Sequence, residues 1–259
     1  MFKQRIKNIY LYRHTLWGIA IKQLKARYAG SILGIWLAIV NPLLIMLAIT
    51  FVFTIVFKIE IKNFPLFALS GIFPWLFFSS ALFEATSSIL NQQSILRQFN
   101  LPREIIPLSS VLSSFLNFLI GWCFIYPLFL FFNLKIIGLF PLLILVLLFN
   151  LLFVCGLSLT LSVLNVLFRD INELLGVLLM FWFWITPIFY SIDMVPSRFR
   201  WLCNFNPMTP FIVSCRDVIF RGNIPNATIL IGIFIWTILS LISGLMFFSY
   251  SESKLLKRL

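Results

Sequence analysis

Eight carboxylates and one histidine are all the acid–base chemistry this sequence offers. His14 stands in a basic N-terminal stretch, and no second histidine or Cys-x-x-Cys pair accompanies it, which argues against a metal site or a His-based dyad. No two carboxylates have the spacing of a paired general acid and base, and eight are too few for an acid-rich ion relay. No G-x-x-x-x-G-K-[ST] run is present to cradle a nucleotide phosphate. Two features remain. Glu84 lies inside a long apolar run, where a carboxylate is a functional candidate unless neighbours such as Ser79, Ser80, Thr86, Ser87 and Ser88 merely satisfy it. The run Phe181, Trp182, Phe183, Trp184, then Thr186–Pro187 and Tyr190, is dense in aromatics. Such rings either anchor a membrane interface or stack on the apolar faces of sugars.

The elements that carry these residues are set by the solvent. The 259 residues are 61% hydrophobic and 11% charged, with a mean hydropathy of +1.03. Soluble domains are about 25% charged. Lipid is therefore the solvent, and spans that must satisfy their own backbone polar groups are helices. A spanning helix needs roughly 20 apolar residues. Six spans are expected at 34–57, 66–90, 107–132, 140–165, 174–190 and 227–248. The fold class is all-α and polytopic, a single transmembrane domain over 1–259, with a cytoplasmic interface segment at 1–33, an amphipathic interface helix, outer re-entrant short helices and a cytoplasmic tail at 249–259. Asn41, Asn117, Asn150 and Asn165 suit interhelical hydrogen bonds, and Asn41–Pro42 predicts a kink in the first span.

Charge gives the orientation. Lys3, Arg5, Lys7, Arg13, Lys22, Lys25 and Arg27 precede the first span, Arg97, Arg103 and Arg169 lie in same-side loops, and Lys254, Lys257 and Arg258 follow the last span. Most of the 20 basic residues thus share one side, which predicts both termini in the cytoplasm. Topology and anionic lipid account for the net charge of +12 without nucleic acid. The start, MFKQRIKNIYLYRH, has no signal-peptide pattern.

Three segments are not plain spans. Tyr12, Leu16, Ala20, Leu24 and Tyr28 recur every four residues, predicting an amphipathic interface helix over 11–28, which Gln23, Arg13 and Arg27 interrupt. The loop 91–106 carries Pro102, Arg103 and Glu104, residues suited to a helix start, and serves as either a connector or a docking surface. Residues 191–226 are apolar but broken by Asn206–Pro207 and Thr209–Pro210, which predicts a re-entrant hairpin or two short interfacial helices. Cys203 and Cys215 share that outward segment and permit, without demanding, a disulfide.

Five stretches together resemble one family: KARYAGSILGIWLAIVNPLL (25–44), SGIFPWLFFSSALFEATSSI (70–89), LPREIIPLSSVLSSFLNFLIG (101–121), LFRDINELLGVLLMFWFWITPIFY (167–190) and NPMTPFIVSCRDVIF (206–220). In order and spacing they look like the permease subunits of ATP-binding-cassette exporters for O-antigen, capsular polysaccharide or teichoic acid. The resemblance implies a non-enzymatic inner-membrane subunit, homodimeric, joined to two copies of a separate subunit that binds ATP and Mg. It places coupling to that subunit at Lys22, Lys25, Arg97, Pro102, Arg103, Glu104, Arg169 and Asp170. It assigns the sugar channel to the first and fifth spans, with Trp36, Asn41, Phe181, Trp184 and Tyr190. It assigns an outer gate to Asn206, Pro207, Pro210, Arg216 and Asp217, where the Arg216–Asp217 pair suits a local salt bridge. Lys25 and Arg27 then suit the charged head group of a lipid-linked glycan at its cytoplasmic portal. Rival expectations are a related exporter of drugs or lipids, and a stand-alone secondary transporter or channel. Six spans without inverted repeats or an acid-rich relay argue against the second rival.

Overall fold

The computed structural model describes residues 2–31, 34–56, 58, 61–99 and 101–258. The side chains of the orienting cations Lys3, Lys254, Lys257 and Arg258, and that of Arg97, lie outside the described residues. Every regular element among the described residues is helical. The order is α1 (Phe2–Leu11), α2 (Arg13–Tyr28), α3 (Leu37–Thr50), α4 (Phe64–Asn91), α5 (Gln93–Gln98), α6 (Ile105–Phe132), α7 (Ile136–Leu167), α8 (Ile171–Ile185), α9 (Arg200–Phe205), α10 (Thr209–Arg216) and α11 (Ala227–Arg258). A π-turn, Phe51–Val56, extends α3.

Five stretches are long and apolar enough to cross a membrane: Leu37–Val56, Phe64–Asn91, Ile105–Phe132, Ile136–Leu167 and Ala227–Ser251. The expected span at 174–190 is divided. Its helical part, α8, has 15 residues, about 22 Å, which is less than the roughly 30 Å of a hydrocarbon core. Pro187 explains the stop, because the residue before a proline is driven out of the helical region. Thr186 is extended (φ −79°, ψ 135°). The single helix expected over 11–28 also begins differently, with a break at Tyr12 that separates α1 from α2.

The spans are not equivalent. In α4, 78% of the spanning window is buried against other helices, whereas in α3 the share is 11%. α4 is therefore the axis of the bundle, and α3 shows most of its surface to whatever surrounds it. Aromatic rings fill the space between α4 and α6: Phe73 lies 5.1 Å from Phe118 and 5.5 Å from Trp122, and Phe77 lies 5.3 Å from Phe115. α7 and α11 meet by a different device. A Cβ added to Gly156 would strike Ser240, and one added to Gly244 would strike the carbonyl of Gly156. Lipid gives apolar side chains no reason to leave it, so membrane helices associate by close backbone approach and interhelical hydrogen bonds. Ser240 and Thr237 supply the bonds, donating to the carbonyls of Phe153 (2.6 Å) and Phe149 (3.3 Å).

The Asn206–Pro207 and Thr209–Pro210 breaks produce two short helices, α9 and α10, as the proline spacing predicts. A π-turn, Asp217–Arg221, follows and ends at Gly222, whose φ is +67°. A side chain there would be strained by the dihedral and would stand 2.5 Å from Nδ2 of Asn133. Cys203 and Cys215 are buried free thiols, and the permitted disulfide is not formed.

Candidate functional site

The last turn of α2 meets α4 and α6 through a polar cluster. Nη2 of Arg27 donates to Oε2 of Glu84 and to Oγ of Ser114 (3.2 Å), and Ser114 Oγ donates to the same carboxylate oxygen (3.0 Å). One turn along α6, Asn117 accepts a hydrogen bond from the Tyr28 hydroxyl. Ser114 and Asn117 are three apart and so share a helix face, and Arg27 and Tyr28 are adjacent at the end of α2. The pairing explains why Arg27 interrupts the apolar repeat of α2. At 100° per residue it falls on the face that carries Ala20 and Leu24, and that face turns toward Glu84. Burial pushes the Tyr28 phenol up, the Arg27 charge opposes this, and Glu84 adds to it. The phenol therefore acts as a neutral donor.

These residues form one wall of a cavity of about 520 Å³ between α2, α3, α4, α6 and α8. Its polar lining includes Arg27, Glu84, Asn41, Ser79, Ser80 and Asn117; its apolar lining includes Phe73, Phe77, Phe83 and Phe118. Pro42 shapes the α3 side. A proline has no N–H for the carbonyl four residues back, so Ala38 is left without its helical partner. α6 approaches that point closely: a Cβ on Gly121 would lie 2.8 Å from the Ala38 oxygen. Carboxylate, guanidinium and amide groups beside aromatic faces can hold a polar, hydroxylated molecule, and the guanidinium can hold a phosphate.

A second cluster joins distant parts of the chain. Nη1 of Arg5 on α1 pairs with Oε1 of Glu104, the residue before α6, and both side chains are buried, 9% and 5% exposed. Nε of Arg5 donates to Ser249 Oγ (2.9 Å) on α11, and its guanidinium sits 5.7 Å from the centre of the Phe248 ring. α1 and α11 thus meet at Glu104, at the start of α6.

The expected site residues are distributed as follows. Lys22, Lys25, Arg169 and Asp170 are exposed, Pro102 and Arg103 are half-buried, and Glu104 is buried against Arg5. Arg103 makes further interactions, and Arg97 belongs to α5. Of the channel residues, Asn41 lines the cavity with Arg27. Trp36 and Trp184 are exposed, Trp36 packing 5.7 Å from Phe124. Phe181 lines a separate apolar groove of about 620 Å³ with Leu82, Leu157, Leu161 and Leu178. Tyr190 lies at the far end, donating to the Ile185 carbonyl (2.7 Å). One chain does not bring these five together.

At that far end, Asn206 binds three partners. Its Oδ1 accepts from Trp182 Nε1 and Met208 N, and its Nδ2 donates to Thr186 Oγ1. Pro210 is buried in the first turn of α10, and Pro207 is half-buried. The salt bridge suited to Arg216 and Asp217 is replaced by another: Asp217 pairs with Arg221 at 2.8 Å. The four-residue spacing aligns that pair on one helical face, whereas adjacent residues point apart. Glu84 differs from expectation in its partner. No nearby serine of α4 donates to its carboxylate; Ser87 donates to its backbone carbonyl instead, while Ser79 and Ser80 donate to Leu76 and Phe77.

The chain matches the ABC-2 type transporter family over residues 14–220. It belongs to that family. The matched stretch of this ABC-2 chain runs from α2 to the π-turn and contains every residue that lines the cavity. A protein named O-antigen export system permease protein RfbA, from Klebsiella pneumoniae, is 34% identical over 237 residues, covering 89% of each chain. A protein of the same name from Myxococcus xanthus is 30% identical over 231 residues, covering 86% of each. The polysialic acid transport protein KpsM of Escherichia coli is 24% identical over 250 residues, 93% of this chain and 95% of its own.

Proposed function

We propose that this ABC-2 chain is the membrane-channel subunit of an ATP-driven exporter that moves lipid-linked polysaccharide out of the cytoplasm. The observation that carries the reading is the cavity, where Arg27, Glu84, Asn41 and Asn117 face the same space as Phe73, Phe77, Phe83 and Phe118. A glycan presents both hydroxyls and apolar ring faces, and this lining answers both. The near full-length likeness to O-antigen and polysialic acid transport proteins supports the same substrate class.

In this reading both termini are cytoplasmic and six segments cross the inner membrane. α8 completes its crossing through the non-helical residues 186–190. Two copies of the chain join two copies of a separate ATP-binding subunit, which holds ATP and Mg. α3 and α8 face the second copy, because their apolar rows (Leu44, Leu47, Phe51 and Val177, Met180, Trp184) are left exposed by the described residues of the single chain. That arrangement would gather Trp36, Phe181, Trp184 and Tyr190 around one path. Lys25 and Arg27 attract the charged head of the lipid carrier at the cytoplasmic portal. Lys22, α5 with Arg97, Pro102, Arg103, and the Arg169–Asp170 turn face the ATP-binding subunit. Glu104 acts through its pair with Arg5, carrying movement of the 91–105 connection to α1 and α11. α9 and α10 dip into the outer leaflet and gate the exit. A sealed path is required because a bare glycan in hydrocarbon leaves many hydroxyls unsatisfied.

The test is a comparison of cargo. Cells that lack the chain and regain it should recover surface glycan while dye efflux stays unchanged. Dye efflux without glycan recovery would move the reading to a drug or lipid exporter.

A further inference from the structure

The non-helical segment 186–190 has few backbone bonds of its own, and side chains from the outer helices hold it in place. Arg216 of α10 is 2% exposed. Its Nη2 donates to the Ile188 carbonyl at 2.6 Å and its Nη1 to the Tyr190 carbonyl at 3.4 Å. The guanidinium lies 3.8 Å from the centre of the Phe67 ring on α4. Gly71, one turn further along α4, leaves the room: a Cβ there would stand 2.9 Å from Nη2 of Arg216 and 3.0 Å from the Ile188 oxygen. Asp217, the neighbouring acid, is bound to Arg221.

A buried cation is costly unless its charge is compensated. Here compensation comes from two backbone carbonyls and a ring face, and only a planar fork meets all three at once. The carbonyls belong to the segment that follows α8, the ring to α4, and the cation to α10. We propose that Arg216 is the positioning residue that locks the segment after α8 to α10, so that the outer end of α8 and the hairpin α9–α10 move as one piece during export. Asn206 makes a second tie, to Thr186 of the same segment and to Trp182 of α8. α8 therefore runs from the cavity, which it lines with Gly176 and Leu179, to the locked hairpin. Movement at the cavity reaches the exit without an intervening hinge.

The proposal rests on the exporter reading for its role and on geometry alone for the lock, and the test separates the two. Cys203 of α9 is 2% exposed and lies close to Tyr190. It reports whether the segment stays shut. With Cys123, Cys155 and Cys215 changed to Ala, Cys203 labelling by a membrane-impermeant maleimide is followed in whole membranes together with glycan export. Labelling is expected to rise at least about tenfold in Arg216→Met, as local opening becomes easier by about 1.4 kcal/mol. It should rise less in Arg216→Lys, which keeps the charge but not the fork. Export should fall while ATP hydrolysis by the assembled complex persists. If Arg216→Met does not accumulate, Gly71→Ala, which crowds the lock from α4, is read the same way. Wild-type protection of Cys203 in a variant that accumulates would overturn the lock. Raised labelling with normal export would overturn its role. A wild-type complex that exports no glycan would count against the exporter reading and leave the labelling result standing.

Discussion

Arg27 at the end of α2 is ion-paired with Glu84 inside α4, and Ser114 of α6 bonds to both. The pair pins α2 to the two most aromatic spans along one wall of the cavity. Their side chains keep 24% and 40% exposure, so solvent weakens the attraction and the carboxylate can be displaced by a competing anion. Arg27→Ala and Glu84→Ala should each lower export roughly three- to tenfold, a loss of about 1 kcal/mol. The double reversal Arg27→Glu with Glu84→Arg should restore part of it. Glycan export in cells, normalised to protein in the membrane, checks this. A double reversal no better than either single change would remove the pair from the account.

Arg5 and Glu104 pose a different case because both are buried. Breaking such a pair leaves one uncompensated charge and costs about 3–5 kcal/mol, while replacing both partners with apolar groups is often neutral. Arg5→Met or Glu104→Leu alone should reduce the amount of folded protein. The double variant should recover folding but leave ATP hydrolysis unlinked to export. The ratio of ATP hydrolysed to glycan exported is the readout, and a normal ratio in the double variant would deny the pair any coupling role.

The α7–α11 seam depends on absent side chains. Gly156→Val and Gly244→Val should destabilise the chain by about 1–3 kcal/mol through overpacking. Gly232→Ala should be nearly silent, since its Cβ meets Pro210 at an ordinary 3.6 Å. Thermal unfolding in detergent, followed by tryptophan fluorescence, separates the two groups.

The proposed contact between two copies through α3 and α8 is also accessible to experiment. Single cysteines at Leu47 and Val177, in a background without the four native ones, should form cross-linked dimers. Cysteines at Ile235 and Leu239, on the exposed side of α11, should not. Equal cross-linking at all four positions would show that α3 and α8 are no more an interface than α11 is.

Much of this architecture was legible in the residues. Long apolar runs must become helices in lipid, so five expected spans match helices to within a few residues. The two proline breaks gave α9 and α10. Pro187 was equally visible, yet its effect on α8 was missed, because hydropathy continues through Ile188 and Phe189 while the helix does not. The cavity was legible only in parts. Arg27 stood out as a cation on an apolar face and Glu84 as an acid in a span, but 57 positions separate them and no periodicity links one helix's charge to another's. Arg216 shows the opposite limit. An adjacent acid suggested the nearest partner, and the fold supplied backbone carbonyls from a segment 26 to 28 positions away. The five residues expected to line a channel are not brought together within the described residues of one chain: Asn41 and Phe181 line different cavities.

Reconstitution tests the central claim most directly. The chain would be purified with the ATP-binding subunit that accompanies it and placed in liposomes containing a labelled lipid-linked glycan, and glycan crossing would be measured with and without ATP. A complex with two copies of each chain is expected to translocate the glycan only with ATP and to lose most of that activity in Arg27→Ala. A lone dimer that moves solutes without ATP, or a complex that hydrolyses ATP and leaves the glycan in place, would contradict it.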